Sequence, residues 1–284
     1  MVVFIKSNLS SNPVYKRPNY NPSIIRRKCQ GESRTKLSDV NITFKSQIPK
    51  LDTSSIVLNK WDKDKGLTFP EKLTPELAEE IGISVGDGFL SDKKYEYRLK
   101  GDKREKEYYN SFIKPLYKAL FTISINVKEY ETTYGFELYS KGFWLFKNKT
   151  LGIQAGRKDN IKIPEIIKVN DQKILTSFLR GLFDTDGSIS FINKYELGNY
   201  YPLISLSLKS KDAVVETAEI LEMLGLEPKV SKIGEYWDVY LNGYKRLALY
   251  SKLIGWSNPK NINKVIKWKA QFPKLGREVM VDVV

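Results

Sequence analysis

Leu179-Arg180-Gly181-Leu182-Phe183-Asp184-Thr185-Asp186-Gly187 and Glu80-Ile81-Gly82-Ile83-Ser84-Val85-Gly86-Asp87-Gly88 are two versions of one nonapeptide, with their last aspartates 99 residues apart. Each closes a run with helical periodicity. Thr74-Pro75-Glu76 supplies an N-cap, a proline at the first helical position and an early acid ahead of Leu77, Ala78, Ile81 and Val85. Asp171 can cap the second run, which continues through Ile174, Leu175, Phe178, Leu179, Leu182 and Phe183. A helix C-terminus carries roughly half a negative charge and favours Lys or Arg, so stability does not explain Asp87 and Asp186. A bound cation would. Gly88 and Gly187 are expected in the left-handed conformation that ends many helices.

Gly82 and Gly86 in the first run, and Gly181 and Thr185 in the second, recur four apart and so share a helical face. Glycine inside a helix costs about 0.8–1 kcal/mol relative to alanine, and close approach of two helix backbones is the reason it would be kept. Packed along these faces, the helices bring Asp87 and Asp186 side by side. Without a cation, two such carboxylates repel and one pKa rises; with Mg²⁺ they become ligands for phosphodiester cleavage.

The surroundings of each nonapeptide repeat as well. Alternating stretches follow, Tyr95 to Lys100 and Tyr200 to Lys209, and predict strands with one packed and one exposed face. Helices are predicted over 106–120 and 212–224, strands over 133–139 and 236–241, and closing helices over 141–151 and 244–254, stopped by Gly152 and Gly255. The fold class is α+β: two αββαββα units, residues 71–155 and 174–284, joined by a 156–173 linker broken at Pro164.

Across 284 residues, 47 Lys and Arg against 33 Asp and Glu leave a net charge of +14, a field that attracts nucleic acid. Residues 1–70 hold 13 basic and 5 acidic side chains, and up to about residue 50 they read as a mobile, Ser-, Asn- and Pro-rich basic arm. Trp61 and Pro70 are expected to fasten this extension to the first unit by apolar contact. Pro13, Pro18 and Pro22 argue against an amphipathic transit helix. The one cysteine, Cys29, excludes an internal disulfide and a Cys-cluster zinc site. The absence of histidine removes Ser-His and Cys-His catalysis and leaves carboxylates, lysines and water, the setting of hard-cation chemistry. No apolar run is long enough to span a membrane.

The two nonapeptides with their repeated surroundings resemble the signature of the LAGLIDADG homing endonucleases, over about residues 70–270. The first copy departs by having Val85 at the earlier acidic position. The resemblance implies a monomer with pseudo-twofold symmetry, its two motif helices at the interface and two saddle-shaped antiparallel sheets straddling double-stranded DNA. It implies metal ligation by Asp87, Asp186 and the carbonyls of Gly86 and Thr185, with two or three Mg²⁺ ions for which Mn²⁺ would substitute. Lys209, and Lys100 or Lys103, are the expected catalytic lysines. Tyr95, Tyr97, Arg98 and Lys100 of one sheet and Tyr201, Ser205, Ser207 and Lys209 of the other are expected to contact DNA, together with Lys211, Arg157, Lys158 and Lys260.

The function implied is a site-specific double-strand break with short 3′ overhangs at a long, asymmetric site. Two alternatives share the fold: an RNA maturase acting on a host intron, and a DNA-binding regulator with a retired site. Retention of both aspartates favours cutting. A self-splicing element would need an N-terminal nucleophile, an assisting histidine and a terminal asparagine, so a freestanding or intron-encoded enzyme is expected. Its expected location is the prokaryotic cytoplasm at the nucleoid, or an organelle matrix.

Overall fold

The structure is a computed structural model that describes residues 42–193 and 199–273, all of them within the unit 34–284. Residues 1–41, most of the arm expected to be mobile, lie outside the described residues.

Helix α1 (Lys60–Asp64) opens on an Asn59–Asp62 capping box. The first motif helix, α2 (Pro75–Gly86), starts at Thr74, whose side chain accepts from the Leu77 N–H, with Pro75 inside the first turn as expected. Strands β1 (Gly88–Leu90) and β2 (Glu96–Asp102) follow, then a 3₁₀ turn Lys103–Glu105 and helix α3 (Lys106–Tyr108). A π segment Tyr109–Ile113 carries the chain into α4 (Lys114–Phe121). Pro115 accounts for it, because proline offers no N–H to the turn before it and a widened turn absorbs the lost bond. Strands β3 (Lys128–Glu129) and β4 (Thr133–Tyr139) and helix α5 (Lys141–Leu145), extended by a π segment Phe146–Thr150, complete this half.

The second half repeats the order with more regular pieces. Motif helix α6 (Gln172–Thr185) is capped by Asp171, and β5 (Gly187–Asn193), β6 (Asn199–Leu208), α7 (Lys211–Met223), β7 (Lys229–Ile233), β8 (Tyr236–Asn242), α8 (Tyr244–Leu253) and α9 (Pro259–Gln271) follow. The two sheets have matching antiparallel orders, β1-β2-β4-β3 and β5-β6-β8-β7. The α+β architecture of two pseudo-symmetric halves joined through their motif helices stands as the sequence implied.

The helix pair explains its small residues. A methyl group on Gly82 would fall on the Phe178 carbonyl oxygen of α6, and one on Gly181 on the Glu79 carbonyl oxygen of α2. The exclusion is reciprocal, so backbone touches backbone at both points. Ile81, Ile83, Leu179 and Leu182 are buried around the crossing.

Two expectations need correction here. Gly88 and Gly187 are not left-handed: the helices end in right-handed Asp87 (φ −81°) and Asp186 (φ −89°). These glycines are needed because each strand leaves so sharply that a Cβ would meet the preceding helical turn, at Ser84 Cα (2.7 Å) and Phe183 Cα (2.7 Å). Nor are residues 42–50 a free arm. The Lys45 N–H donates to the Lys168 carbonyl (2.9 Å), the Asn170 N–H to that of Lys45 (2.8 Å), and the Ile42 N–H to Glu219 of α7 (3.1 Å). The Leu51 N–H then bonds the Glu71 carbonyl (2.9 Å) in the first half. This segment is a strap across both halves. Trp61 is exposed; buried Asp62, which accepts from Ser140 Oγ, fastens the strap to the first half instead. No described helix is long and apolar enough to cross a membrane.

Candidate metal centre

Because α2 and α6 touch along their whole small-residue faces, their C-termini finish together. A Cβ on Gly86 would lie 3.6 Å from the Asp186 carboxyl carbon. Burial, then Asp186 and Glu105, push the Asp87 carboxyl up to about 8, against the pull of Lys158 and Lys260. Burial also raises Asp186, offset by Lys158. Asp87 is half-buried, whereas Asp186 is crowded by protein yet reached by solvent. Among the described residues neither carboxylate forms an ion pair within 4.0 Å. Two adjoining acids without a paired cation, at the negative ends of two helices, form a donor set that fits a hard divalent ion. Among the described residues no third acidic side chain completes a metal-holding group. The remaining ligands would therefore be carbonyl, phosphate and water oxygens.

Lys158 is the cation closest to this centre. Its ammonium donates to the carbonyls of Gly86, Val85 (2.9 Å) and Ser84 (3.4 Å), covering the last turn of α2. Burial pulls its pKa down, while Asp186 and Asp87 hold it up. The opposite helix end is covered differently: Asn258 Nδ2 donates to the Asp184 carbonyl (3.0 Å) and to Glu105 Oε1 (3.1 Å). Asp184, the earlier acid of the second motif, is buried and pushed up to about 7 by that burial. Its carboxylate accepts from the N–H groups of Ser257 (2.6 Å) and Asn258 (3.0 Å), which fixes the start of α9, where Lys260 stands. Lys260 in turn donates to Glu105 Oε1 (3.0 Å).

The lysines expected to be catalytic are engaged elsewhere. Lys100 bonds Glu137 (2.5 Å) and covers the Tyr130 ring; Lys103 bonds Glu129 (2.9 Å). Lys209 lies 3.8 Å from Glu235 and 4.0 Å from Asp159. The lysines acting on the dyad are others, since Lys100 points outward from β2, Lys103 opens the 3₁₀ turn and Lys209 follows the end of β6. Lys158 and Lys260, expected as DNA contacts, are there instead. Glu105, Asp184 and Asn258 escaped sequence reading: Glu105 reads as the end of a capping box, and the other two act only through a loop folded back from seventy residues away.

Of the expected DNA-facing residues, Tyr97 is corrected. It is 1% exposed and bonded to Ser84 Oγ (2.7 Å) and to the Tyr117 hydroxyl (2.9 Å) in the core. Arg98 lies over Phe89 on the open face, beside Lys100. Tyr95 is exposed and meets Trp144 edge-on. In β6, Tyr201, Ser205 and Ser207 share the outward face, with Lys209 just past its end, Ser205 beside Ser188 (3.3 Å) and Ser207 bonded to Asp238 (2.6 Å). Lys211 covers Trp237, and exposed Arg157 pairs with Asp159 (2.8 Å).

Residues 173–255 match the family described as LAGLIDADG-like domain. Curated relatives include the glutamine–fructose-6-phosphate aminotransferase of Methanocaldococcus jannaschii, 27% identical over 206 residues, 69% of this chain and 18% of that protein. The replication factor C small subunit of the same organism is 28% identical over 250 residues, 80% of this chain and 13% of its own length. A probable translation initiation factor of Thermococcus kodakarensis is 24% identical over 149 residues, 49% of this chain and 12% of that protein. The chain thus spans less than a fifth of each of these relatives. Their named activities have nothing in common, so a shared segment and not a shared activity underlies the likeness. Similar solved structures include the homing endonuclease I-DmoI in complex with DNA and Mn, 18% identical, TM-score 0.48, covering 64% of this chain and 96% of that one. Full-length DUF199/WhiA from Thermatoga maritima is 16% identical, TM-score 0.45, covering 74% of this chain and 62% of its own.

Proposed function

We propose that this chain is a site-specific, divalent-metal-dependent DNA endonuclease of the homing type, which acts as a monomer and makes one cut in each strand. The observation that carries this reading is the meeting of Asp87 and Asp186, from separate halves, at the C-termini of the two motif helices, with neither carboxylate in an ion pair among the described residues. The intact pair favours cutting over a regulator with a retired site or a maturase that needs no metal.

Asp87, Asp186 and the carbonyls of Gly86 and Thr185 would hold the divalent ions, Mg²⁺ in the first instance. Bound there, the ions supply Lewis-acid polarisation of a phosphate and acidification of water. Lys158 stands beside both aspartates, where its ammonium would offset their charge toward an incoming phosphate. The outward rows Arg98 and Lys100, and Tyr201, Ser205, Ser207 and Lys209, would lie along the duplex. There they would fix its phosphates and reach base edges in the major groove.

The test is cleavage selection from a randomised duplex library in Mg²⁺ and Mn²⁺, followed by mapping of both ends of the recovered products. Wild-type protein should yield one asymmetric site with short 3′ overhangs. Asp87→Asn and Asp186→Asn should each lower double-strand cleavage at least ~10³-fold with little loss of binding, since phosphate contacts carry most of the affinity. Undiminished cutting in saturating EDTA would refute the reading.

A further inference from the structure

The two halves do not finish their motif helices alike. Two residues before Asp87, the Val85 carbonyl receives the Lys158 ammonium at 2.9 Å; two before Asp186, the Asp184 carbonyl receives the neutral Asn258 amide at 3.0 Å. The second half does bring an ammonium nearby, on Lys260, but Glu105 of the first half binds it at 3.0 Å.

Glu105 is 5% exposed, and its two oxygens serve different halves. Oε2 accepts from the Asp102 N–H (3.1 Å), closing a capping box within its own turn. Oε1 crosses to Asn258 and Lys260, which local capping does not require. Gly101 makes room for the arrangement. A Cβ there would lie 2.6 Å from Glu105 Oε2 and 2.8 Å from Asp87 Oδ2, so the two carboxylates face one another across a space that any side chain would fill. The second half has no counterpart. Three residues after its N-cap Ser210, where the first half has Glu105 after Asp102, stands Ala213, and Asp212, which the strand register sets against Glu105, is exposed and pairs with Lys162 at 3.6 Å. Gly88 pairs with Leu99 and Gly187 with Leu206, so two residues further along the strands Gly101 is matched by buried Leu208. Asp87 thus has a polar pocket with a tethered lysine beside it, whereas Leu208 fills the position matching Gly101 in the second half.

We propose that Glu105 is a positioning residue that makes the half-sites unequal: it tethers Lys260 on the Asp87 side and leaves Asp186 with Lys158 as its ammonium neighbour. The two strands of a duplex are therefore cut at different rates. This rests on the nuclease reading above. Glu105→Gln keeps the size and the cap, whereas the charge that holds Lys260 is lost. Lys260, on a flexible four-carbon stem, is then released from Asp87.

The experiment follows both strands of a library-selected duplex, each with its own 5′ label, under wild-type protein, Glu105→Gln and Glu105→Asp. Reductive methylation read by mass spectrometry reports the reactivity of Lys260 and Lys158 in the same proteins. Wild type should show unequal strand rates, and Glu105→Gln should change their ratio by roughly an order of magnitude, the scale on which misplaced active-site groups act. Glu105→Asp should restore much of it. Lys260 should methylate several-fold faster in Glu105→Gln while Lys158 does not change, a readout that needs no cleavage. An unchanged strand ratio, or unchanged Lys260 reactivity, overturns the proposal alone. Failure of wild-type protein to cut any library member overturns the nuclease reading and the strand-rate claim with it, while methylation still decides whether Glu105 holds Lys260. Should Glu105→Gln not fold, Lys260→Met removes the other partner and should shift the ratio equally; no shift there also overturns the proposal.

Discussion

Asp184 and Asp186 stand two positions apart and do different work. Asp184 turns inward to accept the backbone N–H groups of Ser257 and Asn258 at the start of α9, and Asp186 turns outward to the dyad. Position within a helical turn decides this, not acidity. Lys158 shows the same dependence on place, because an ammonium over three helix-end carbonyls near two carboxylates is held by geometry that glutamine cannot reproduce. Lys158→Gln should therefore lower the cleavage rate about 10²-fold with a much smaller change in duplex affinity, measured by single-turnover kinetics beside binding isotherms. Equal losses in both would make Lys158 an ordinary phosphate contact. The dyad was legible in the sequence because a carboxylate at a helix C-terminus is an electrostatic anomaly and it occurs twice. The lysines were not, because which ammonium reaches the dyad depends on loop 156–158 and on Asn258, fixed by tertiary contacts that no local pattern encodes.

At the scale of elements, the crossing of α2 and α6 leaves no space for a methyl group at Gly82 or Gly181. Gly82→Ala gains helix propensity but forces the backbones apart, so it should destabilise by ~3 kcal/mol in denaturant unfolding. A stabilised variant would mean that the crossing is looser than described. The face of α2 turned away from α6 carries another commitment. Lys147 is fully buried against Glu80, Ser84 Oγ (3.0 Å) and the rings of Tyr97, Phe121 and Phe143. Lys147→Met leaves the Glu80 carboxylate without its cation and should cost ~3–5 kcal/mol; pairing it with Glu80→Leu should recover most of that. If the double variant is no more stable than the single one, the pair is not where the cost arises. Element order was legible from alternation, capping residues and repetition. Tyr97 was misplaced because a strand's period of two cannot set Tyr97 and Arg98 on one face. Its hydroxyl satisfies Ser84 and Tyr117 inside the core, so the tyrosine is not bound to the surface.

For the whole molecule, the strap matters most. A basic, proline-rich stretch reads as a mobile arm, yet residues 42–58 touch the linker, α7 and the first half through backbone hydrogen bonds that composition does not reveal. Removing residues 1–50 should lower the thermal midpoint by several degrees, a loss of ~1–2 kcal/mol. It should also flatten the salt dependence of DNA binding if the arm reaches phosphates, each lost contact taking ~0.9 from the slope. An unchanged midpoint would mean that the strap merely rests on the surface.

The interlock of α2 and α6 bears on how such a chain could be taken apart. Because most of what joins the halves is an apolar seam and not the peptide that links them, a chain severed after Lys158 would still find its other piece. The two fragments, made separately and mixed, should assemble into a working heterodimer.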